Sequence, residues 1–221
     1  MSTRRRRPDL RADLLEHAVA LTREQGPDAL SLREVQRRSG VSPAAAYRHY
    51  RDREALLFAV GQRASALLGD HIQSAVDAVP APGPDTGPDG QAFARARLRA
   101  GVEAYLDFMH REPGLFRAVF LTGEDPEHLI EPDPASRGAG GRGPYQLLRD
   151  SLDELVAVGL LAEEAAPWSD VTVWAATHGL AVLMLDGPLR FLDDDQAHAA
   201  TERLLDVVLS GLERTRGVVP Q

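Results

Sequence analysis

Two serines and a glycine between residues 31 and 43 constrain this chain more than any other feature. The Ser31 hydroxyl can accept a hydrogen bond from the Glu34 backbone N–H while the Glu34 side chain reaches back, a capping box that starts a helix. Leu32 and Val35 give that helix an apolar face, and Gly40 ends it, because a residue without Cβ adopts the left-handed geometry of a tight turn. Ser42 then caps a further helix. Pro43 suits its first turn, where an N–H has no intrahelical partner. Two short helices thus meet across a turn of three to four residues, the spacing of a helix-turn-helix. Ahead of them Leu10, Leu14, Ala18 and Leu21, with Leu15 and Val19 beside them, predict a helix over 9–25, which Gly26-Pro27 closes.

Asp52 caps a fourth helix, 53–79, whose stripe of Leu57, Val60, Ala64, Leu67, Leu68, Ile72, Val76 and Val79 holds as far as Pro80. At 1.5 Å per residue such a helix spans about 40 Å, enough to carry a tilt from one end to the other. The Pro/Gly segment 80–90 reads as a loop, and residues 122–144, rich in Gly, Pro and acid, read as a longer mobile one. Helical patterns recur at 91–111, 113–121, 144–158, 168–186 and 195–214. No segment alternates with period two. The fold class expected is all-α, about nine helices: a basic arm at 1–8 expected to be disordered, a three-helix DNA-binding domain with a helix-turn-helix at 9–54, and a larger regulatory and dimerisation domain at 55–221, bridged by the fourth helix.

Charge supports that division. The chain carries a net charge of -8, yet residues 1–54 hold 12 Arg against 8 acidic residues while the remainder holds 13 against 25. A basic head on an acidic body suits a DNA-binding module with a separate regulatory part. The absence of cysteine excludes disulfides and Cys-based zinc sites, and fits a reducing compartment. Arg4 to Arg7 resemble the start of a signal peptide, but polar Pro8-Asp9 and an amphipathic helix follow, so a cytoplasmic location is expected. The run is either an arm for the minor groove or phosphates, or a solvated tail. Motifs for nucleophile elbows, metalloprotease zinc and phosphate-cradling loops are all missing. The seven His lie in separate elements. Glu124, Asp125, Glu127 and His128 cluster on a loop, where a solvated acidic patch is the plainer reading than a cation site. No enzyme activity, catalytic residue, metal or cofactor is expected.

The run Ser31–Leu57, SLREVQRRSGVSPAAAYRHYRDREALL, resembles the N-terminal domain of the tetracycline-repressor (TetR) family, and the likeness reaches back to about residue 10. It is carried by the Ser31/Glu34 cap, Val35, Gly40-Val41-Ser42, Tyr47, Tyr50 and the Asp52-Arg53-Glu54-x-x-Leu57 start of the fourth helix. A major groove admits one helix whose leading turns are slim, as Pro43, Ala44, Ala45 and Ala46 are, and small apolar side chains can touch a thymine methyl. Ser42, Tyr47, His49 and Arg53 offer donors suited to phosphates, which orient a protein without reading sequence. The resemblance implies that Tyr47, His49 and Arg53 contact the DNA backbone; Ser31, Arg33 and Arg48 are added as contacts. Core packing is the other reading for Tyr47 and Tyr50, and is taken for Tyr50, which stands where the family usually has Phe. Gln36, Ala46, Thr22 and Arg53 depart from the family's usual small, aliphatic, aromatic and Lys residues. With so few long side chains on the reading helix, specificity is expected to lean on DNA shape and on Arg residues outside it.

The C-terminal two-thirds resembles the family's regulatory half through Tyr105-x-x-Phe108-x-x-x-x-Pro113-x-Leu115-Phe116, and through Trp174-x-x-x-His178-Gly179 its Trp/His/Gly (WHG) ligand-binding type. The likeness implies a homodimer in which helices 168–186 and 195–214 form a four-helix bundle. A two-fold dimer calls for a palindromic double-stranded operator with half-sites about 34 Å apart. It also implies a small-molecule effector, for which Phe108, Met109, Phe116, Phe120, Trp174, His178 and Met184 are candidate lining residues, although a helical body needs such side chains as core too. His178, beside Gly179, is expected to bond a backbone carbonyl. The function implied is a sequence-specific regulator, foremost a repressor released from DNA by its effector. An effector-independent or nucleoid-associated DNA binder is the alternative.

Overall fold

Each cap forms where its residue type asks for it. The computed structural model describes residues 10–81, 89–121 and 131–214. Among these it places α1 (Leu10–Gln25), α2 (Leu32–Ser39), α3 (Pro43–His49), α4 (Arg53–Asp77), α5 (Asp89–Arg111), α6 (Pro113–Leu121), α7 (Pro144–Ala157), α8 (Ser169–Leu185) and α9 (Asp194–Arg214), with short 3-10 turns between some of them. The described residues contain no strand, and the fold is all-α. Ser31 Oγ accepts from the Glu34 N–H at 3.3 Å, and Ser42 Oγ accepts from the Ala45 N–H at 3.3 Å. Gly40 sits at φ 69°, the left-handed region that glycine occupies without a Cβ penalty. One half of the expected capping box is replaced. The Glu34 carboxylate turns to Arg37 and Arg38, since two guanidinium partners outcompete one neutral backbone N–H.

The described residues form two compact units. The head comprises residues 10–67 together with 112–121 and 131–137, and the body comprises 68–81, 89–111 and 138–214. The boundary between the units lies inside α4, and α6 belongs to the head. The cause is a close approach. Gly114 at the start of α6 lies so near the Thr22 carbonyl oxygen of α1 that a Cβ there would overlap it. Beside it, Arg23 Nε donates to both Glu112 carboxylate oxygens, at 2.9 and 2.7 Å. Leu14, Leu21, Leu30, Leu56, Leu115 and Phe116 fill the head's core.

In the body α5 packs against α7, α8 and α9 around Leu98, Met109, Leu155 and Leu205, all but fully buried. Arg97 on α5 donates to Glu154 on α7 at 2.7 Å and to the Val76 carbonyl at 3.1 Å. The expectation of a mobile loop fails for residues 138–143. Asp70 on α4 accepts from the Ala139 N–H at 2.6 Å, Gly138 N donates to the Arg142 carbonyl at 2.9 Å, and a Cβ on Gly138 would meet the Asp70 carboxylate. Small residues let this segment lie directly on α4, where its backbone groups find partners that water would otherwise supply.

Arg4 to Arg7, and the Glu124, Asp125, Glu127, His128 cluster, lie outside the described residues. Among the described residues no group of three or more His, Asp or Glu is placed to hold a metal ion. No helix there is long and apolar enough to cross a membrane.

Candidate nucleic-acid interface

Only one residue of α3 is buried. Ala46 is 2% exposed, and Tyr50 at the C-cap is 3% exposed with its hydroxyl donating to the Arg11 carbonyl at 3.3 Å. Those two anchor the helix to the head, and the small Ala46 lets it sit close to its support. Ser42, Pro43, Ala44, Arg48 and His49 are exposed, Ala45 is half-buried, and Tyr47 is 57% exposed. The core reading thus holds for Tyr50 and not for Tyr47. What α3 offers outward is a slim leading turn of Pro and Ala followed by a phenol, a guanidinium and an imidazole.

The basic residues around α3 differ in how they are committed. Arg33 is exposed at the start of α2. It shares an open depression of about 390 Å³ with Ser31, Glu34, Gln36 and Arg37. Gln36 and Arg37 line the same depression. Hydrogen bonds from Arg37 and then Arg38 hold the Glu34 carboxyl down to about 2. Arg38 also donates to Glu24 at 2.8 Å. Arg51 pairs with its neighbour Asp52 at 3.0 Å.

Arg53 has partners within the head. Where a phosphate contact is implied by resemblance, its Nε donates to the Leu30 carbonyl at 2.9 Å and its Nη2 to the Pro27 carbonyl at 2.8 Å. A planar fork of N–H donors fits two adjacent carbonyls, which a Lys ammonium cannot match with the same rigidity.

The effector candidates do not fall into one unit. Phe116 and Phe120 belong to the head, with ring centroids 5.2 Å apart, and Phe120 is partly exposed; the other five belong to the body. Phe108, Met109 and Met184 are buried there, and Trp174 and His178 are half-buried. His178 Nδ1 lies 2.9 Å from the Tyr105 hydroxyl. Burial lowers the His178 pKa and raises that of Tyr105. The lowered pKa favours the neutral imidazole, in which one ring nitrogen donates and the other accepts. The Trp174 indole bonds the same Tyr105 hydroxyl, and its ring also stacks edge-on with Tyr145, whose hydroxyl donates to Asp170 at 2.9 Å. Tyr105 and Tyr145 were missed as members of this network. Tyr105 had a signal, one helical turn ahead of Phe108 and Met109; Tyr145 had none.

A short helix held out from the head by two buried residues, with small residues leading and donors behind, is the construction of a helix-turn-helix DNA-binding regulator. Comparison with known proteins gives the family. Residues 14–60 match the family described as bacterial regulatory proteins, tetR family, and residues 98–208 match the tetracyclin repressor-like C-terminal domain. The chain belongs to the TetR family of bacterial regulatory proteins. It is 29% identical over 131 residues to the HTH-type transcriptional activator FasR of Mycolicibacterium smegmatis, covering 59% of this chain and 52% of that one. The match thus spans about half the length of that relative. A Rhodococcus sp. RHA1 protein of unknown function shares the fold with TM-score 0.72 and 26% identity, over 96% of this chain and all of that one. The TetR family regulator PfmR of Thermus thermophilus has TM-score 0.54 at 21% identity, covering 91% and 99% of the two chains, a likeness of fold alone.

Proposed function

We propose that the protein is a homodimeric, cytoplasmic repressor that reads a palindromic operator through α3 and releases it when a small molecule binds the C-terminal domain. The observation that carries the DNA half is the exposure of α3. Pro43, Ala44 and Ala45 can approach base edges, while Ser31, Arg33, Ser42, Tyr47, Arg48 and His49 supply donors for phosphates.

A seam for a second copy is supported by α8 and α9. Val171, Val182 and Leu183 on α8 and Val207 on α9 are exposed, and a Cβ on Gly179 or Gly211 would meet nothing within 4 Å. Small residues among exposed aliphatics on adjacent helices suit a close helix-to-helix seam. The Trp174, Tyr105 and His178 hydrogen bonds support the finer Trp/His/Gly reading of this domain. Release by an effector would be a population shift between arrangements of the two heads.

Repression rather than activation rests on the family's habit. FasR is named an activator, and the same head can do either, since the direction depends on where the operator lies relative to a promoter. The acidic balance beyond residue 54, 25 acidic residues against 13 Arg, disfavours the extended wrapping of a nucleoid protein.

Selection of bound duplexes from a random pool, at near-physiological salt, tests the reading. Enrichment of a palindrome with half-sites about one helical turn apart is the expected result. Tyr47→Ala should weaken the selected and unrelated duplexes alike, and a bulky residue at Ala44 should change which duplexes are selected. If neither variant differs from the parent, α3 is not the reading helix.

A further inference from the structure

We infer that Arg53 is a positioning residue for DNA reading, a clasp that closes the two ends of the helix-turn-helix and couples them to α4. The inference rests on the assignment of α3 as the reading helix. Leu30 immediately precedes Ser31, the N-cap of α2, and Arg53 is the first residue of α4, just past the end of α3 and its Tyr50 cap. The bonds from Arg53 to the Leu30 and Pro27 carbonyls therefore join the chain entering α2 to the chain leaving α3. Everything between them, α2, the Gly40 turn and α3, is held as a closed loop.

The joint is stiff on both sides. Leu30 is 1% exposed, and its N–H donates to the same Pro27 carbonyl that receives Arg53 Nη2. On the other side Asp52 Oδ1 accepts from the Ala55 N–H at 2.7 Å, fixing the first turn of α4, and Leu56 is fully buried behind it. The Pro27 carbonyl opens the one-turn 3-10 helix Pro27–Ala29 and Leu30 is its C-cap, so both acceptors of Arg53 belong to one turn of chain. A change in the direction of α4 at its first turn thus reaches α2 through two charge-assisted hydrogen bonds as well as through the chain. The same geometry leaves the phosphate-contacting role implied by resemblance without two of the guanidinium's donors.

The experiment uses the full chain and its Arg53→Lys and Arg53→Met variants. The probes are a duplex recovered from a random pool by the parent and an unrelated duplex of equal length, each titrated over a range of salt. Amide hydrogen exchange of residues 31–50 is followed without DNA. With the clasp, Arg53→Lys binds the selected duplex about tenfold more weakly, near 1.4 kcal/mol. It keeps the parent's salt slope and its affinity for the unrelated duplex, and exchanges faster in α2 and α3 while melting close to the parent. A purely structural role would lower the melting temperature and both affinities together. A phosphate contact would leave Arg53→Lys like the parent in every readout, and Arg53→Met would lose about two units of salt slope, one from each copy in a dimer. Either pattern overturns the inference, and Arg53→Lys decides it even if Arg53→Met does not fold. Failure of the parent to enrich any duplex defeats the DNA reading separately, because exchange without DNA still reports whether the clasp holds.

Discussion

Replacing Gly114 with Ala puts a methyl group where the head has no room for one. A Cβ built there overlaps the Thr22 carbonyl oxygen and also meets the Thr22 carbonyl carbon at 3.2 Å and the Gly26 Cα at 3.4 Å. All three are backbone atoms, so no rotamer change relieves the contact. The Thr22 carbonyl is further pinned by accepting the Gly26 N–H at 2.8 Å. The helices must separate, and separation loosens Leu115 and Phe116, which are 0% and 1% exposed in the same stretch of α6. Overpacking of this kind costs about 1–3 kcal/mol, and the cavity opened beside displaced side chains adds to it. At about 2–4 °C per kcal/mol for a chain of this size, roughly 2–12 °C of melting temperature should be lost. Gly101 in the middle of α5 supplies the matched control. A Cβ there meets Val76 at 3.6 Å and Ile72 at 3.8 Å, ordinary contacts, so Gly101→Ala should gain up to about 1 kcal/mol of helix propensity. Urea unfolding of both variants, followed by helical circular dichroism, measures the difference. Equal effects, or a harmless Gly114→Ala, would refute the claim that the α1 to α6 approach fixes α6 in the head.

Two other outcomes can be measured in the same way. The Thr22 hydroxyl is fully buried and has no hydrogen-bond partner among the described residues; Thr22→Val keeps the branched shape and should stabilise the head by about 1 kcal/mol by removing that unpaired group, and a loss of stability in urea would show the hydroxyl to be satisfied. Burial lowers the His178 pKa below the ordinary 6.5, so its neutral form is favoured by folding; this stability is fully present above pH 6.5 and is lost as pH falls from there through the lowered value. Urea midpoints taken at pH 7.5 and 5.5 should therefore differ less for His178→Gln than for the parent, and an unchanged difference would remove His178 as the cause. The carboxylates with lowered pKa, Glu34 at about 2 and Asp107, give up their contributions only at more acid pH.

How much of this was readable beforehand depends on the range of the interaction. The caps at Ser31 and Ser42, the Gly40 turn and the ends of most helices depend on residues within a few positions of one another, and the sequence carries all of those. The membership of α6 in the head depends on Gly114 meeting a carbonyl far away in the chain, and no local pattern encodes it. Glu34 shows a different limit. Its position predicts a capping partner, but Arg37 and Arg38 compete for the same carboxylate, and only geometry shows that they win. Arg53 and His178 were each placed by analogy or by neighbours. Their actual partners, the Leu30 and Pro27 carbonyls and the Tyr105 hydroxyl, come from pairings 23, 26 and 73 residues apart.

The same competition for charge sets how the head should respond to salt. Glu34 with Arg37, Arg38 and Glu24 forms a cluster of two cations and two anions linked by hydrogen bonds, with no net charge to offer phosphates. Arg53 is held by carbonyls. Arg33, Arg48 and Arg51 remain on the exposed face of each head, and the weak exposed pair of Arg51 with Asp52 can exchange for a phosphate. A dimer would then neutralise about six phosphates, and the logarithm of the binding constant should fall against the logarithm of salt concentration with a slope near about -5. Were Arg37, Arg38 and Arg53 engaged as well, the slope would approach about -11 by the same rule. Binding of a selected duplex by a variant lacking residues 1–8, titrated with salt, separates the two without any contribution from Arg4 to Arg7. A slope near the steeper value would mean that DNA draws these arginines away from Glu34 and from the carbonyls, and the head would have to rearrange on binding.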